Sequence, residues 1–406
     1  MDTSSLGRAV AAHDERLVET TMDLLGFDTQ NPPGETADII GYVERAVRDA
    51  GLHTERLGPA GNPTLIGWFP DYPPELVFNG HVDTVPFERE AWTRDPLGER
   101  DGETVYGRGA TDMKGAVAAM LELARAVSAT EVSPPIGFVF NSDEETTGSK
   151  RLVEAVDAFP ADPSACVIGE MTGTPERPAV TVADKGSIWL TLTATGEAAH
   201  GSRPMLGRNA IDDLYETVDA LRGELGSVTF DLHPDVTRIL TESAAFYAPS
   251  VGEAAAWQLF ERPTVNLGTI SGGQAVNSVP TTATAEVDIR LTASVATEPV
   301  VERIRGFVSD RAHVDIESVE YSEGTYETPE GPLVEAVSTA GEAVTGHRTL
   351  ARSATGGGDA KALRNEGFSA VEFALGSETA HAVDERTSRR ALSQTARVYA
   401  AVAEGL

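Results

Sequence analysis

The sequence predicts an α/β protein built on a mostly parallel sheet, interrupted by an inserted ferredoxin-like unit of order βαββαβ. Three observations carry this. Short apolar runs alternate with segments of helical spacing through the first 182 residues, the pattern of a sheet with crossover helices. From residue 183 the strands take on alternating character, and with two helices they follow the order of a ferredoxin-like sandwich. The first style then returns, so residues 1–182 and 323–406 read as one domain divided by an insert at 183–322.

The elements follow from their patterns. Residues 14–25 and 35–50 carry apolar side chains at helical spacing, the second segment closing at Gly51. Runs at 63–69, 76–78, 136–140 and 165–168 have the length and composition of buried strands, with helices expected at 114–127 and 149–156. In the insert, strands are expected at 187–195, 264–270, 281–291 and 313–320, and helices at 208–225 and 298–310. The excursion 230–262 is long for a connection and reads as a functional flap. Segments 333–344, 371–374 and 388–402 resume the α/β style of the first domain.

Composition narrows the class of protein. With 406 residues, 41% of them hydrophobic, the chain is long enough for two cores. No run approaches the roughly 20 apolar residues of a membrane span, and the N-terminal residues lack the basic-then-apolar pattern of a secretory leader. Cys166 is the only cysteine and lies in an apolar run, so a cytoplasmic protein with a core thiol is expected. The net charge is −31, from 63 acidic and 32 basic residues, which argues against nucleic acid and anionic membranes as partners. Only Lys114, Lys150, Lys185 and Lys361 are lysines. So many carboxylates beside so few lysines suit a high-salt cytoplasm, where screening relieves their repulsion. An ordinary acidic enzyme is the plainer alternative.

Acids and histidines recur where strands are expected to stop, which in such sheets is where ligands bind. The run at 76–78 leads into Asn79-Gly80-His81-Val82-Asp83, and that at 136–140 into Asn141-Ser142-Asp143-Glu144-Glu145. Between them, Asp112 stands in a glycine-flanked loop ahead of a helix; Glu170 ends the run at 165–168, and His381 follows that at 371–374. Singly, His81 fits a structural histidine, Asp112 an N-cap and Glu144-Glu145 a solvated loop pair. Together they make a ligand set for divalent metal. Asp83, two residues beyond His81, points the same way and can hold its second ring nitrogen. Of the adjacent acids, one can ligate while the other serves as general base.

The segments Gly80 to Pro86, Gly107 to Gly115 and Asp143-Glu144-Glu145 closely resemble motifs of the M20 metallopeptidases and deacylases, and the likeness covers nearly the whole chain. This family includes desuccinylases, deacetylases, aminoacylases and carboxypeptidases. The resemblance implies two zinc ions per subunit, with cobalt or manganese as possible substitutes, roughly 3.5–4 Å apart. His81, Asp112 and Glu170 would hold one ion and Asp112, Glu145 and His381 the other, with Glu144 as base and Asp83 as orienter. It also makes the insert a lid and dimerisation domain. His200 would polarise the substrate carbonyl, in dimeric members from the partner subunit, and Asn277 and Arg290 would contact substrate. Gly356-Gly357-Gly358-Asp359 resembles a glycine-rich loop near the site.

One departure is Ser377 after Gly376, where family members often have a second glycine. Glu at position 170 resembles the deacylases, since many di- and tripeptidases have Asp there. The activity implied is hydrolysis of an N-acyl amino acid or N-acyl diamino acid, a small-molecule substrate, by a homodimer. The alternative is a metallo-carboxypeptidase or dipeptidase with the same machinery. A metal-binding protein without catalysis would be expected to lack a ligand or the base, and every matching position is filled.

Overall fold

The computed structural model describes residues 5–147 and 150–405, and the chain divides into two compact units. The first comprises residues up to 182 together with 327–352 and the segment from 358 onward; the second comprises 183–326 with 353–357. Residues 1–4, expected to carry no leader, and Ser149, expected to open a helix, lie outside the described residues. That helix is seen over Lys150–Asp157.

In the first unit the sheet runs His53–Leu57, Thr64–Trp68, Ile136–Asn141, Leu76–His81, Ala165–Ile168, Ser369–Glu372 and Ala179–Asp184. The four strands from Ile136–Asn141 to Ser369–Glu372 are parallel neighbours. Antiparallel pairing flanks them on both sides. All six residues of Leu76–His81 and of Ile136–Asn141 are buried, which is why these strands read as continuous apolar runs. The helix Lys114–Ala129 buries 13 of its 16 residues, so it packs as a core element and not as an amphipathic surface helix. Cys166 is buried among Ile66, Val77, Val139 and Leu152.

A separate three-stranded sheet joins Arg386–Ser388, Thr104–Tyr106 and Glu99–Asp101. It corrects one expectation. The loop carrying Asp112 does not leave the large sheet; it follows the central strand of this small one. Tyr106 pairs with Arg386, so the small sheet ties that loop to the one carrying His381.

The second unit is a four-stranded antiparallel sheet in the order Thr264–Gly272, Thr282–Leu291, Gly186–Thr195, Val314–Ser322. Helices Ala210–Gly226 and Thr297–Ser309 cover one face, burying Ile188, Leu190, Leu192, Val287 and Ile289 beneath Leu214, Leu221 and Ile304. This is the ferredoxin-like sandwich. The excursion 230–262 is not an irregular loop. It folds into helices Pro234–Val251 and Glu253–Glu261, turning at Gly252 (φ 86°), with a small core of Val236, Leu240 and Phe260. Pro234 sits in the first turn, where its missing N–H costs nothing, and Pro249 near the end disguises the helical spacing. No helix among the described residues is long and apolar enough to cross a membrane.

Candidate metal centre

Adjacent parallel strands deliver the first residues to one end of the sheet. His81 is the last residue of its strand and registers with Asn141, three residues before Glu144. Asn79 registers with Ile168, two residues before Glu170. Glu144 and Glu145 open a single helical turn, Glu144–Thr147. Their backbone N–H groups donate to the two oxygens of Asp83, at 3.3 and 3.1 Å. A buried carboxylate therefore fixes the turn that presents both glutamates.

The distances describe two linked clusters. His81 Nε2 lies 3.2 Å from Asp112 Oδ1 and 3.3 Å from Glu170 Oε1. His381 Nε2 lies 3.0 Å from Asp112 Oδ2 and 3.5 Å from Glu145 Oε2. Asp112 thus turns one oxygen to each imidazole. Donors about 2.0–2.2 Å from a tetrahedral ion lie roughly 3.3–3.6 Å from one another, close to these separations. His81 Nδ1 faces the Asp83 carbonyl at 3.0 Å and an oxygen of its carboxylate at 3.5 Å. With an ion bound, these two acceptors would keep the ring proton on Nδ1 and leave the Nε2 lone pair for the metal. The same residues form the trios His81–Asp112–Glu170 and Asp112–Glu145–His381, and Glu144 lies within 4.8 Å of His81 and Glu145.

The electrostatics call for positive charge. Burial opposes charge on His81, yet Asp112, Asp83 and Glu170 together hold its pKa well above the usual value. Asp112 and Glu145 lift His381 to about 10. Burial also opposes charge on Asp112, but His381 and His81 hold its carboxyl well below the usual range. Burial drives Glu170 well upward, with the Asp112 charge adding to it. Glu144 is pushed up to about 7 by burial and by Asp359, Glu145 and Asp112, against the pull of His81. Five carboxylates crowd two imidazoles, and a cation among them relieves both their mutual repulsion and their desolvation.

Residues 77–405 match the model of peptidase family M20/M25/M40. The chain belongs to this family. It is 31% identical to succinyl-diaminopimelate desuccinylase 2 of Ruegeria sp., over 98% of this chain and 96% of that protein. It is 30% identical to succinyl-diaminopimelate desuccinylase of Cereibacter sphaeroides, over 94% and 96%. In fold it is similar to an M20 family metallo-carboxypeptidase from Sulfolobus solfataricus, with a TM-score of 0.76 and 16% identity over 96% of this chain and 98% of that one. As an M20 protein the chain is a hydrolase of amide bonds.

The second unit of this M20 hydrolase carries His200, Asn277 and Arg290, and it brings the first two together. Gly201 N–H donates to Asn277 O at 2.7 Å, and a Cβ at position 201 would lie 2.8 Å from the Asn277 backbone, so the approach needs glycine. Ser202 N–H donates to His200 Nδ1 at 3.2 Å, which leaves the ring proton of the neutral imidazole on Nε2. Arg290 is elsewhere. It registers with Ser187 near one end of the strand Thr282–Leu291, while Thr282 begins the strand just beyond Asn277. Eight residues of strand span about 26 Å. Arg290 Nε also pairs with Asp288 Oδ1 at 2.8 Å.

Sequence reasoning did not single out several residues that frame the metal centre. Asn31 Nδ2 donates to Asp83 Oδ2 at 2.9 Å from far upstream, a contact with no sequence signal. Asn79 donates to Asn141, and Asn141 to the buried Asp359, linking two strand ends to the glycine-rich segment. Glu385 and Arg108 form a buried ion pair between the Asp112 and His381 loops. Their signal was available: each lies four residues from a candidate ligand, in the same motif.

Proposed function

We propose that this M20 hydrolase removes the acyl group from an N-acyl amino acid or N-acyl diamino acid, with an N-succinyl diamino acid as the leading candidate. The observation that carries the reading is the carboxylate of Asp112 divided between His81 and His381, with Glu144 beside them. The full-length likeness to proteins named succinyl-diaminopimelate desuccinylase supports the substrate class.

His81, Asp112 and Glu170 would hold one divalent ion, and Asp112, Glu145 and His381 the other. Mixed nitrogen and oxygen donors suit zinc first, then cobalt or manganese. When bound, the ions supply Lewis acidity to the scissile carbonyl and to water. Glu144 accepts the proton of the attacking water and returns it to the leaving nitrogen. Asp83 orients His81 and holds the Glu144–Glu145 turn. The Nε2–H of His200 donates to the developing oxyanion. Asn277 contacts substrate, and Arg290 presents its guanidinium to the substrate carboxylate.

The segments 1–182 and 323–406 would form the catalytic domain and 183–322 the lid and dimerisation domain. Within the second unit, about 26 Å of strand separates Arg290 from the His200–Asn277 pair, more than a small acyl amino acid spans. This favours a homodimer in which the two ends serve the sites of different subunits. The strand Thr264–Gly272 lies at the sheet edge with residues 268–272 exposed, and it offers a surface for pairing two copies.

The test is a panel of acetyl-, succinyl- and glutaryl-amino acids and diamino acids, set beside dipeptides, with the zinc-loaded protein and product analysis. Release of succinate with kcat/KM well above that for dipeptides is expected; preferential cleavage of dipeptides would replace the deacylase reading with the peptidase one. Run from low to multimolar KCl, the same assay tests the salt reading. Activity should rise with salt, and a fall throughout would reject adaptation to a saline cytoplasm.

A further inference from the structure

We propose that Glu385 is a positioning residue that fixes two metal-ligand loops at once, the one bearing Asp112 and the one bearing His381. This rests on the dinuclear reading above.

Glu385 is fully buried. Its Oε1 accepts three backbone N–H groups, from Gly109, Thr111 and Asp112, at 3.1, 3.0 and 3.1 Å. One oxygen therefore sets the path of the loop up to and including the bridging ligand. Its Oε2 accepts from Arg108 Nη1, and Arg108 Nη2 donates to the His381 carbonyl at 3.1 Å. The guanidinium fork carries the restraint from Glu385 to the second ligand. Arg108 is itself 5% exposed and lies over the Trp92 ring, 5.3 Å from its centroid.

The held loop needs this restraint. His381 has φ +62°, a left-handed conformation that a residue with a Cβ adopts only when its surroundings impose it. Its side chain is more than half exposed, so packing does not fix it. Other ties run between the same two loops. Ser377 N–H donates to Thr111 Oγ1 at 3.1 Å, and a Cβ at Gly376 would fall 2.0 Å from that oxygen, so only glycine allows the approach. The Asp384 carboxylate accepts from the N–H groups of Thr93 and Arg94, pinning the far side of the His381 loop. Among these ties, the Glu385 side chain alone reaches the backbone of one ligand and, through one side chain, the other.

Chelator-stripped wild type, Glu385→Gln and Glu385→Asp should be titrated with zinc against a chromophoric chelator, with the thermal midpoint of each metal-free protein recorded. Gln turns an amide N–H₂ toward Arg108 and breaks that arm; Asp keeps the charge and falls short. Two equivalents are expected for wild type. In both variants the equivalent held through His381, whose trio depends on both loops, should lose ten- to a hundredfold in affinity, as outer partners of metal ligands do, while the other, which shares only Asp112, changes several-fold less. Both equivalents weakening together in step with a lowered midpoint would reduce Glu385 to a general structural role and overturn the proposal. So would two zinc ions bound with wild-type affinity. Fewer than two equivalents in wild type would instead overturn the dinuclear reading. Should both variants fail to fold, Arg108→Lys keeps the charge and loses the fork. It should show the same selective weakening, and unchanged affinities would reject the proposal.

Discussion

His81 and His200 are held in opposite ways. His81 is 1% exposed and ends a buried strand, with one ring nitrogen on the Asp83 carbonyl and the other facing Asp112 and Glu170. His200 is exposed at an isolated bridge to Ser278, with Nδ1 on Ser202. A ligand must be fixed by its surroundings before the ion arrives. A substrate-facing donor needs only its tautomer fixed, since substrate supplies the rest of its environment.

If that contrast is right, the largest effect belongs to the group beside the metals that holds none of them. Glu144→Ala should lower kcat by about 10²–10⁴-fold while zinc content stays at wild-type level. Near-normal turnover would remove Glu144 from the base role, and loss of zinc would make it a ligand. The same group sets a pH dependence. As the proposed base, Glu144 would act in its deprotonated form, so the rate should climb as pH rises through its pKa. Burial, with the surrounding acids adding to it, pushes that value up to about 7 without a cation, and bound ions would lower it, placing the acid limb of kcat below pH 7.

A smaller effect tests the other half of the comparison. His200→Ala and Glu144→Ala are each expected to be nearly inactive. After mixing and subunit exchange, a dimer with one of each would hold one complete site if His200 serves its partner. Activity should then return to about one quarter of wild type, since half the dimers are mixed and each has one working site. No recovery, or a monomeric mass in solution, would confine His200 to its own subunit and reject the shared arrangement.

The chain displays these two halves unequally. The buried strands Leu76–His81, Ile136–Asn141 and Ala165–Ile168 were legible because parallel strands bury both faces, and their ends follow one another at one edge. Asp112 and His381 were legible from the residues as types, and as a pair only through the family resemblance. Their approach depends on the small sheet in which Tyr106 meets Arg386, and those strands are only three residues long. Glu385 was passed over although it lies four residues beyond His381, since a carboxylate that accepts backbone N–H groups leaves no periodic trace. The helices Pro234–Val251 and Glu253–Glu261 were misread because length suggested a loop, while the spacing of Val236, Ile239 and Leu240 carried the better signal. Arg290 shows the limit of matching by motif. It sits where the family pattern expects, yet only the strand register reveals that it lies far from His200.

The central claim is that Asp112 joins two metals in one site. Zinc titration of the chelator-stripped protein, wild type against Asp112→Ala, tests it most directly. The account predicts two tight equivalents for wild type and the loss of both from the tight range in the variant, because each trio loses a ligand. Wild type binding a single equivalent, or Asp112→Ala retaining two with unchanged affinity, would contradict it.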